Sequence, residues 1–482
     1  MSVTLSPAQS ISSQRNSPEP SLAEIDRSCR VPVLFLFGSA LLWLFLGSVL
    51  ALIASLKFHA PGLLADHPLF TYGRVHAAQT NSLLYGFGVP AALGFTLWLL
   101  CRLGRTPLAE PRIATLAAAF WNFGICLGVL GILAGDSTGF ESFEMPRYTS
   151  ALLFISYLLI GLCAVVTFHR RTERQLYASQ WFVLAALFWF AWIFSTASML
   201  LLFTPVRGVL QALINWWYAN NLNTVFLGFV GLASIFYFIP KVLGRALHSN
   251  YLALLAFWTL ALFGSWGGIP LGAPLPAWIG SLSVVGTVLT AVPVLAIAIN
   301  IFLTARNDAK LLDSDPVLRF TYVGLVFWII ASAQKIIGAL PSVSPLTEFT
   351  FFATAQKQLA FYGFFAMTMF GAIYYIAPRL LGAEWPCSKS IRAHFWCTFL
   401  GIMISYLALV VGGIAQGLLL NDPKNSFLLV MKTTLMPLRL STLGDLLIVL
   451  GQIPLLLNFA GLLCASCCSK KSAESKTAEV RA

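Results

Sequence analysis

Four amide side chains recur near the beginnings of three long apolar segments, and they are the first candidates for a chemical role. Each lies 24 to 26 residues before a glycine at the end of its segment. The amides are Gln79, Asn220, Gln356 and Gln358, and the glycines are Gly104, Gly244 and Gly382. An amide inside an apolar segment must find a partner within the protein, so we expect the three segments to face one another. For each amide alone, ordinary hydrogen bonding between helices is the alternative.

Two lysines also lie within apolar segments, where a charged group is costly and is by default a functional candidate. Lys335 follows Gln334 near the middle of its segment, and both are candidates for lining a pocket or meeting a partner. Lys357 lies between the last two amides. For Lys357 the alternative is a side chain that extends to the membrane surface, with Glu348 as a candidate counter-ion.

The elements that must position these residues are membrane-spanning helices. Of the 482 residues, 58% are hydrophobic and only 10% are charged, whereas a soluble domain carries about 25% charged residues. A spanning helix needs about 20 apolar residues. Twelve runs meet this requirement: 31–56, 79–103, 113–135, 147–168, 180–204, 214–239, 252–270, 277–303, 316–341, 351–378, 393–419 and 442–467. Run 252–270 is the weakest, because Gly267, Gly268 and Pro270 interrupt its end.

The spacing of the three glycines divides these runs into a repeat. The intervals between the glycines are 140 and 138 residues, and each interval contains four runs. The predicted fold is therefore an all-α integral membrane protein of about twelve transmembrane helices in three pseudo-repeats of four. The predicted domains are a polar tail over 1–30, the membrane domain over 31–467 and a charged tail over 468–482.

The positions of the basic residues predict the orientation of the chain. Of the 30 Lys and Arg residues, 21 lie in the two tails and in alternate connections, and seven lie in the other connections. Cytoplasmic connections carry the excess of basic residues, so both termini are predicted to be cytoplasmic. The net charge of +12 then faces lipid headgroups, and no nucleic-acid partner is expected.

Cys464, Cys467 and Cys468 form a cluster that is either small interface residues, an acylation site or a weak metal site.

Several short stretches resemble the heme-copper oxidase subunit I family, and most of all its cbb-type (C-family) catalytic subunit. They are Gly73-Arg74 through Thr80-Asn81, Trp216-Trp217-Tyr218 with Asn221, Tyr237 through Lys241 with Gly244-Arg245, Leu275-Pro276 with Trp278, Val317 through Phe320, and Phe370 through Leu380. Their order and spacing carry the resemblance from about residue 70 to residue 382. The resemblance implies twelve helices in three arcs, a multi-pass position in a bacterial-type cytoplasmic membrane, and other respiratory or membrane subunits as partners beside the lipid bilayer.

The family's chemistry implies six histidines that bind two hemes and a copper ion, and this chain has none of them. By the resemblance, Gln79 and Gln358 stand at the low-spin heme positions and Gln356 at the high-spin heme position. The copper positions hold Asn220, Pro270 and Leu271. Gly264 stands at the position of the family's tyrosine, and Gln334 stands at the position of its glutamate. A carboxamide is a poor ligand for iron or copper compared with neutral imidazole. Heme and copper are expected of the family, but we predict no heme, copper or other metal in this chain.

The remaining histidines and the neighbours of the amides support the same prediction. All six histidines lie in connections or at predicted helix ends, and only His76 is a candidate heme ligand, with a loop or interfacial role as the alternative. By the resemblance, Leu359, Ala360, Phe361 and Tyr362 stand where the family has small residues beside the porphyrin. Because protein interiors are close-packed, we predict that the bundle is repacked without cofactors.

Three functions remain open from the sequence. The leading hypothesis is a non-catalytic relative of the cbb-type subunit I that serves structure, assembly or partner docking in a respiratory membrane complex. The second is a transporter or ligand-binding membrane protein that uses the former heme cavity. The third is an active terminal oxidase or nitric-oxide reductase.

Overall fold

The computed structural model describes residues 20–306 and 314–479, with side chains described as far as Ser466. Within these ranges the chain is helical and contains no strand. The long helices, in chain order, are α1 (Leu22–Lys57), α2 (Tyr72–Gly104), α3 (Pro111–Ala134), α4 (Arg147–His169), α5 (Ala178–Phe203), α6 (Val209–Leu243), α7 (Asn250–Gly264), α8 (Ala277–Ala305), α9 (Pro316–Gly338), α10 (Phe351–Leu381), α11 (Ser388–Leu420) and α12 (Phe427–Glu479). The predicted all-α membrane fold is confirmed.

Helix α7 is the element that differs most from its prediction. Eleven helices of the described chain are long and apolar enough to cross a membrane, and α7 is shorter, with 15 residues. At about 1.5 Å per residue it is about 22 Å long, which is less than the hydrocarbon thickness of about 30 Å. The predicted end of this run at residue 270 is wrong. The helix ends at Gly264, and the chain then turns through Gly268 in a left-handed conformation with φ +88°.

Helix α1 begins earlier than predicted because its first turn is capped. The Ser21 hydroxyl accepts a hydrogen bond from the Glu24 backbone N–H, and the Glu24 carboxylate accepts one from the Ser21 N–H. This capping box makes residues 22–30, predicted as part of a polar tail, helical.

Residues 1–19 lie outside the described residues. Of the predicted cysteine cluster, Cys464 is an exposed free thiol, and the side chains of Cys467 and Cys468 also lie outside.

Helices α2, α6 and α10 form the centre of the bundle. In the most apolar part of each, 100%, 89% and 89% of the residues are buried, whereas the other spanning helices have at most 50% buried. These are the three segments that carry the amides. Their expected inward position therefore agrees with the structure, and the remaining helices separate them from lipid.

The three inner helices end in the same way. Each is followed or closed by a residue in the left-handed conformation: Arg105 with φ 48°, Gly244 with φ 66° and Gly382 with φ 63°. Glycine is favoured at such helix ends, which explains two of the three repeated glycines. Gly104 has another reason to be small, because an added Cβ would lie 3.1 Å from the Arg171 side chain.

Aromatic rings hold the inner helices together near these ends. Trp98 of α2 lies 5.5 Å from Tyr237 of α6 and 5.9 Å from Tyr375 of α10, measured between ring centroids. Phe238 lies 5.0 Å from Tyr375. Edge-to-face contacts at such distances stabilise aromatic pairs beyond their burial, so this cluster fixes the three helices relative to one another.

The two ends of the described chain lie at one face of the bundle. An ion pair of 3.2 Å joins Asp26 near the start of α1 to Arg102 near the end of α2. Arg30 donates a hydrogen bond of 2.9 Å to Ser466 of α12. We call this face, where the inner helices end, the C-face, and the opposite face, where they begin, the N-face.

We expect the C-face to be cytoplasmic, because the basic residues concentrate in the tails and in the connections at that face. Green fluorescent protein fused after Lys470 should be fluorescent, and alkaline phosphatase fused there should be inactive. The matched control is the same pair of fusions after Lys424, in the connection between α11 and α12 at the N-face, where the two readouts should be reversed. Phosphatase activity after Lys470 would reject this orientation.

Candidate functional site

The backbone of each inner helix changes from α to π geometry within three residues after its amide position. The π stretches are Ser82–Gly88 in α2, Asn221–Leu227 in α6 and Leu359–Ala366 in α10. A π stretch accommodates an extra residue in the helix and is frequent at functional sites. Because the distortion recurs at the same register, it marks three equivalent positions around the centre of the bundle.

At the α6 position, Asn220 is bound to a lysine of α9. The Lys335 Nζ donates hydrogen bonds of 2.7 Å to Asn220 Oδ1 and of 2.7 Å to Thr224 Oγ1. The Asn220 amide nitrogen donates a bond of 2.8 Å to the carbonyl oxygen of Gly264, at the end of α7. The ammonium of Lys335 therefore occupies the polar corner where α6, α7 and α9 meet.

A cavity of about 460 Å³ opens above this corner at the N-face. Six of the residues predicted from the sequence as site positions line it, and they are Pro270, Leu271, Gln334, Lys335, Gln356 and Lys357. The structure therefore brings together residues from α9, α10 and the connection after α7. Gln334 is held by a bond of 2.9 Å from its amide nitrogen to the Phe352 carbonyl oxygen.

The rim of the cavity contains an ion pair that differs from the predicted one. Lys357 is paired with Glu141, which lies in the connection between α3 and α4. Both side chains are exposed, at 61% and 57%. The sequence offered Glu348 as a candidate partner because it is near in the chain, but in the structure Glu348 lines the cavity without forming this pair.

The other two amides lie away from the cavity. The Gln79 side chain is 3.3 Å from His76 Nδ1, one helical turn earlier, and the His76 ring stacks on Tyr72. Gln358 donates a hydrogen bond of 2.9 Å to Asp445 Oδ1 on α12, and it accepts one of 3.0 Å from Ser405 of α11. These two positions, matched to one heme by the resemblance, therefore each have protein partners.

Two polar residues that the sequence did not single out are Asp445, which is partly buried, and His394, which is fully buried. Asp445 also accepts a hydrogen bond of 3.3 Å from Ser405, and it was visible in the sequence as a single acid in the last apolar run. His394 was assigned to a helix end, but it is 0% exposed in α11. Its Nδ1 lies 2.9 Å from the Tyr374 hydroxyl, and its ring packs against Phe370.

The connection between α3 and α4 covers the N-face ends of α2 and α6. Asn81 of α2 donates a hydrogen bond of 2.7 Å to the Glu144 carboxylate, and Tyr85 donates one of 2.7 Å to the Ser142 carbonyl oxygen. Glu144 is only 7% exposed. Burial raises the pKa of Glu144 to about 7, and the hydrogen bond from Asn81 opposes this shift only in part.

The raised pKa of Glu144 makes the stability of the protein depend on pH. In the unfolded chain this carboxyl group ionises near pH 4.5, whereas in the folded protein it keeps its proton up to about pH 7. The folded state therefore binds more protons between these values and loses up to about 3 kcal/mol of stability as the pH rises through that window.

We expect the melting temperature of the detergent-solubilised protein to fall between pH 5 and pH 8, and the fall to be smaller in Glu144→Gln. The glutamine can still accept the bond from Asn81 but has no proton to lose. Glu384→Gln, which removes an exposed carboxylate, is the control and should retain the wild-type profile. An unchanged profile in Glu144→Gln would contradict this assignment.

Comparison with known proteins gives one consistent family. Residues 31–447 match the family model described as Cytochrome C and Quinol oxidase polypeptide I. The Cbb3-type cytochrome c oxidase subunit CcoN1 of Stutzerimonas stutzeri is 27% identical over 395 residues, which cover 79% of this chain and 83% of that protein. A cytochrome c oxidase subunit 1 homolog of Azorhizobium caulinodans is 28% identical over 392 residues, covering 79% and 71% of the two chains.

A solved structure shows the same fold. It is the cryo-EM structure of a heme-copper terminal oxidase dimer, with a TM-score of 0.71 and 14% sequence identity, covering 89% of this chain and 84% of that one. At this identity the likeness concerns the fold alone. With the family model matched over most of its length, this chain belongs to the cytochrome c and quinol oxidase polypeptide I family.

Proposed function

We propose that this protein is a non-catalytic, cofactor-free relative of the cbb-type oxidase subunit I. It acts in a respiratory assembly of a bacterial cytoplasmic membrane as a structural, assembly or partner-docking subunit. The observation that carries the proposal is the bond between Lys335 and Asn220. The resemblance puts the first copper ligand at Asn220, and this position is bound to an ammonium group instead of carrying an imidazole.

The residues at the copper positions do not fit a copper ion. Asn220 Oδ1 accepts hydrogen bonds from both Lys335 and Thr224, so its lone pairs are already used. Pro270 and Leu271 have no side-chain donor atom. A positively charged ammonium 2.7 Å from the one remaining oxygen would repel a cation. The described residues also contain no group of three or more His, Cys, Asp or Glu arranged to hold a metal.

The residues at the low-spin heme positions do not fit a heme either. Gln358 is bound to Asp445 and Ser405, and amide groups are weak iron ligands. The Phe361 ring lies 6.0 Å from the Phe87 ring of α2, and the buried Tyr362 hydroxyl lies 2.9 Å from Ser48 of α1. Aromatic side chains thus pack across the space between α1, α2 and α10.

His394 and His76 offer no replacement for these ligands. His394 is enclosed by Phe320, Phe370 and Tyr374, so its ring has no free approach for a porphyrin. His76 is stacked on Tyr72 near the N-face, and a single imidazole there cannot serve two hemes and a copper ion. An active oxidase or nitric-oxide reductase would need these ligands, so the geometry supports the non-catalytic function better.

The test is the optical spectrum and metal content of the protein purified from a host that supplies heme and copper. We expect no Soret band approaching one heme per chain and no stoichiometric iron or copper. The Stutzerimonas stutzeri relative, expressed and purified in parallel, is the positive control for cofactor supply. A Soret band with matching iron in this protein would overturn the proposal, and His76→Ala would then be the first variant to measure.

We further expect that histidines at Gln79 and Gln358 alone will not create a low-spin heme site. The double variant Gln79→His with Gln358→His supplies two imidazoles, but Phe361 and Tyr362 still fill the space beside α10. Even a few extra methylenes in a packed core cost about 1–3 kcal/mol, and a porphyrin is far larger. The measurement is the spectrum after heme is added to the solubilised protein.

The matched control carries Phe361→Ala and Tyr362→Ala in addition to the two histidines. This variant should bind heme with a bis-imidazole spectrum, because both the ligands and the space are then present. Heme binding by the double histidine variant alone would show that the space is open, and the repacking argument would then be wrong.

A further inference from the structure

The charge of Lys335 is not balanced by any acid of the described chain. Its Nζ forms hydrogen bonds with two neutral oxygens, those of Asn220 and Thr224. No Asp or Glu of the described residues forms a salt bridge with it. A largely buried charge is costly unless it is paired, and Lys335 is among the residues that line the cavity.

The cavity has the size and walls of a small-molecule site. Its volume of about 460 Å³ lies within the range of about 300–1,000 Å³ that is usual for ligand pockets. Apolar side chains form much of the wall, including Trp216, Ile269, Leu271, Val284 and Phe352. Lys335 and Thr287 line both this cavity and a smaller void, so they lie where the two spaces meet. A largely apolar wall with a lysine that has no acid paired to it favours an amphiphilic ligand with an anionic group.

The rim selects against a second negative charge on that ligand. Lys357 is already paired with Glu141, so it does not attract an anion strongly. Glu348 also lines the cavity and adds a negative charge that forms no salt bridge among the described residues. A ligand with two carboxylates would place one of them near these acids, whereas a single carboxylate at Lys335 avoids them.

We propose that this cavity is a binding site for a small amphiphilic monocarboxylate. The carboxylate binds the ammonium of Lys335, and the apolar body of the ligand packs against the wall formed by α8, α9, α10 and the connection after α7. A hydrogen bond between two charged groups is about twice as strong as one between neutral groups, so Lys335 supplies both affinity and preference for an anion.

The test uses 2-naphthoate as the probe and 2-naphthamide as its neutral counterpart of similar shape. Binding to the purified full chain in detergent is measured by isothermal titration calorimetry, with protein-free micelles subtracted. We expect saturable binding of 2-naphthoate and binding of 2-naphthamide that is at least about tenfold weaker, a difference of about 1.4 kcal/mol. Lys335→Met, which retains the length of the side chain, should abolish this preference.

Two further variants keep the result interpretable. Ala353→Trp leaves Lys335 unchanged but fills the cavity from α10 and should weaken both probes at least tenfold, an effect of about 1.4 kcal/mol or more. Lys357→Met removes the exposed rim lysine and should change the affinity less than threefold, about 0.6 kcal/mol. Each variant is first compared with the wild type by size-exclusion chromatography.

Three results would overturn the proposal: no saturable binding of 2-naphthoate, equal affinity for the two probes, or an unchanged preference in Lys335→Met. The inference rests on the proposed cofactor-free function, but failure of the carboxylate site can be distinguished from failure of that function. A Soret band contradicts the proposed function, whereas equal binding of the two probes in a protein without heme contradicts only the carboxylate site.

Discussion

Because α2, α6 and α10 are almost completely buried, each polar side chain on them must find its hydrogen-bond partner inside the protein. Asn81 of α2 binds Glu144 in the connection between α3 and α4, Asn220 of α6 binds Lys335 of α9, and Gln358 of α10 binds Asp445 of α12. In every case the partner comes from an outer helix or connection. These three contacts therefore give each amide a partner and also fix the outer elements around the centre, while the Asn81 amide oxygen stays without a hydrogen-bond partner among the described residues.

The Lys335 contact has a different consequence from the other two. Asn81 and Gln358 are each bound to a carboxyl group, whereas Asn220 receives an ammonium that has no acid beside it among the described residues. In the proposed interpretation, this ammonium takes the place of a metal cation at the same corner of the bundle. The corner stays positively charged without the anionic or imidazole ligands that would accompany a metal. The cavity next to it is therefore the place where an anion from outside the protein is most strongly favoured.

The sequence predicted the inner helices well and their partners poorly, and the reason is physical. The spanning helices are indicated by the length of each apolar run, and the inner ones by the spacing between amide and glycine. Both features can be read along the chain. The partner of Lys357 is 216 residues away and that of Gln358 is 87 residues away, so only the packing decides them. Glu348 was a candidate counter-ion for Lys357 because it is near in sequence, but in the structure Lys357 pairs with Glu141.

Gln356 and Gln358 show how one helix can serve two separate environments. Residues two apart on an α-helix point about 200° from each other, so Gln356 lines the cavity while Gln358 faces Asp445 on the other side of α10. On the Gln358 side, Phe361 and Tyr362 pack against α2 and α1, and the space is filled. On the Gln356 side, the volume of about 460 Å³ is still open. The two sides are separated by the helix itself, so one can close by repacking while the other keeps a cavity. In the proposed function, the closed side provides the stability of a bundle without cofactors. The open side is free to bind a ligand of a different chemistry.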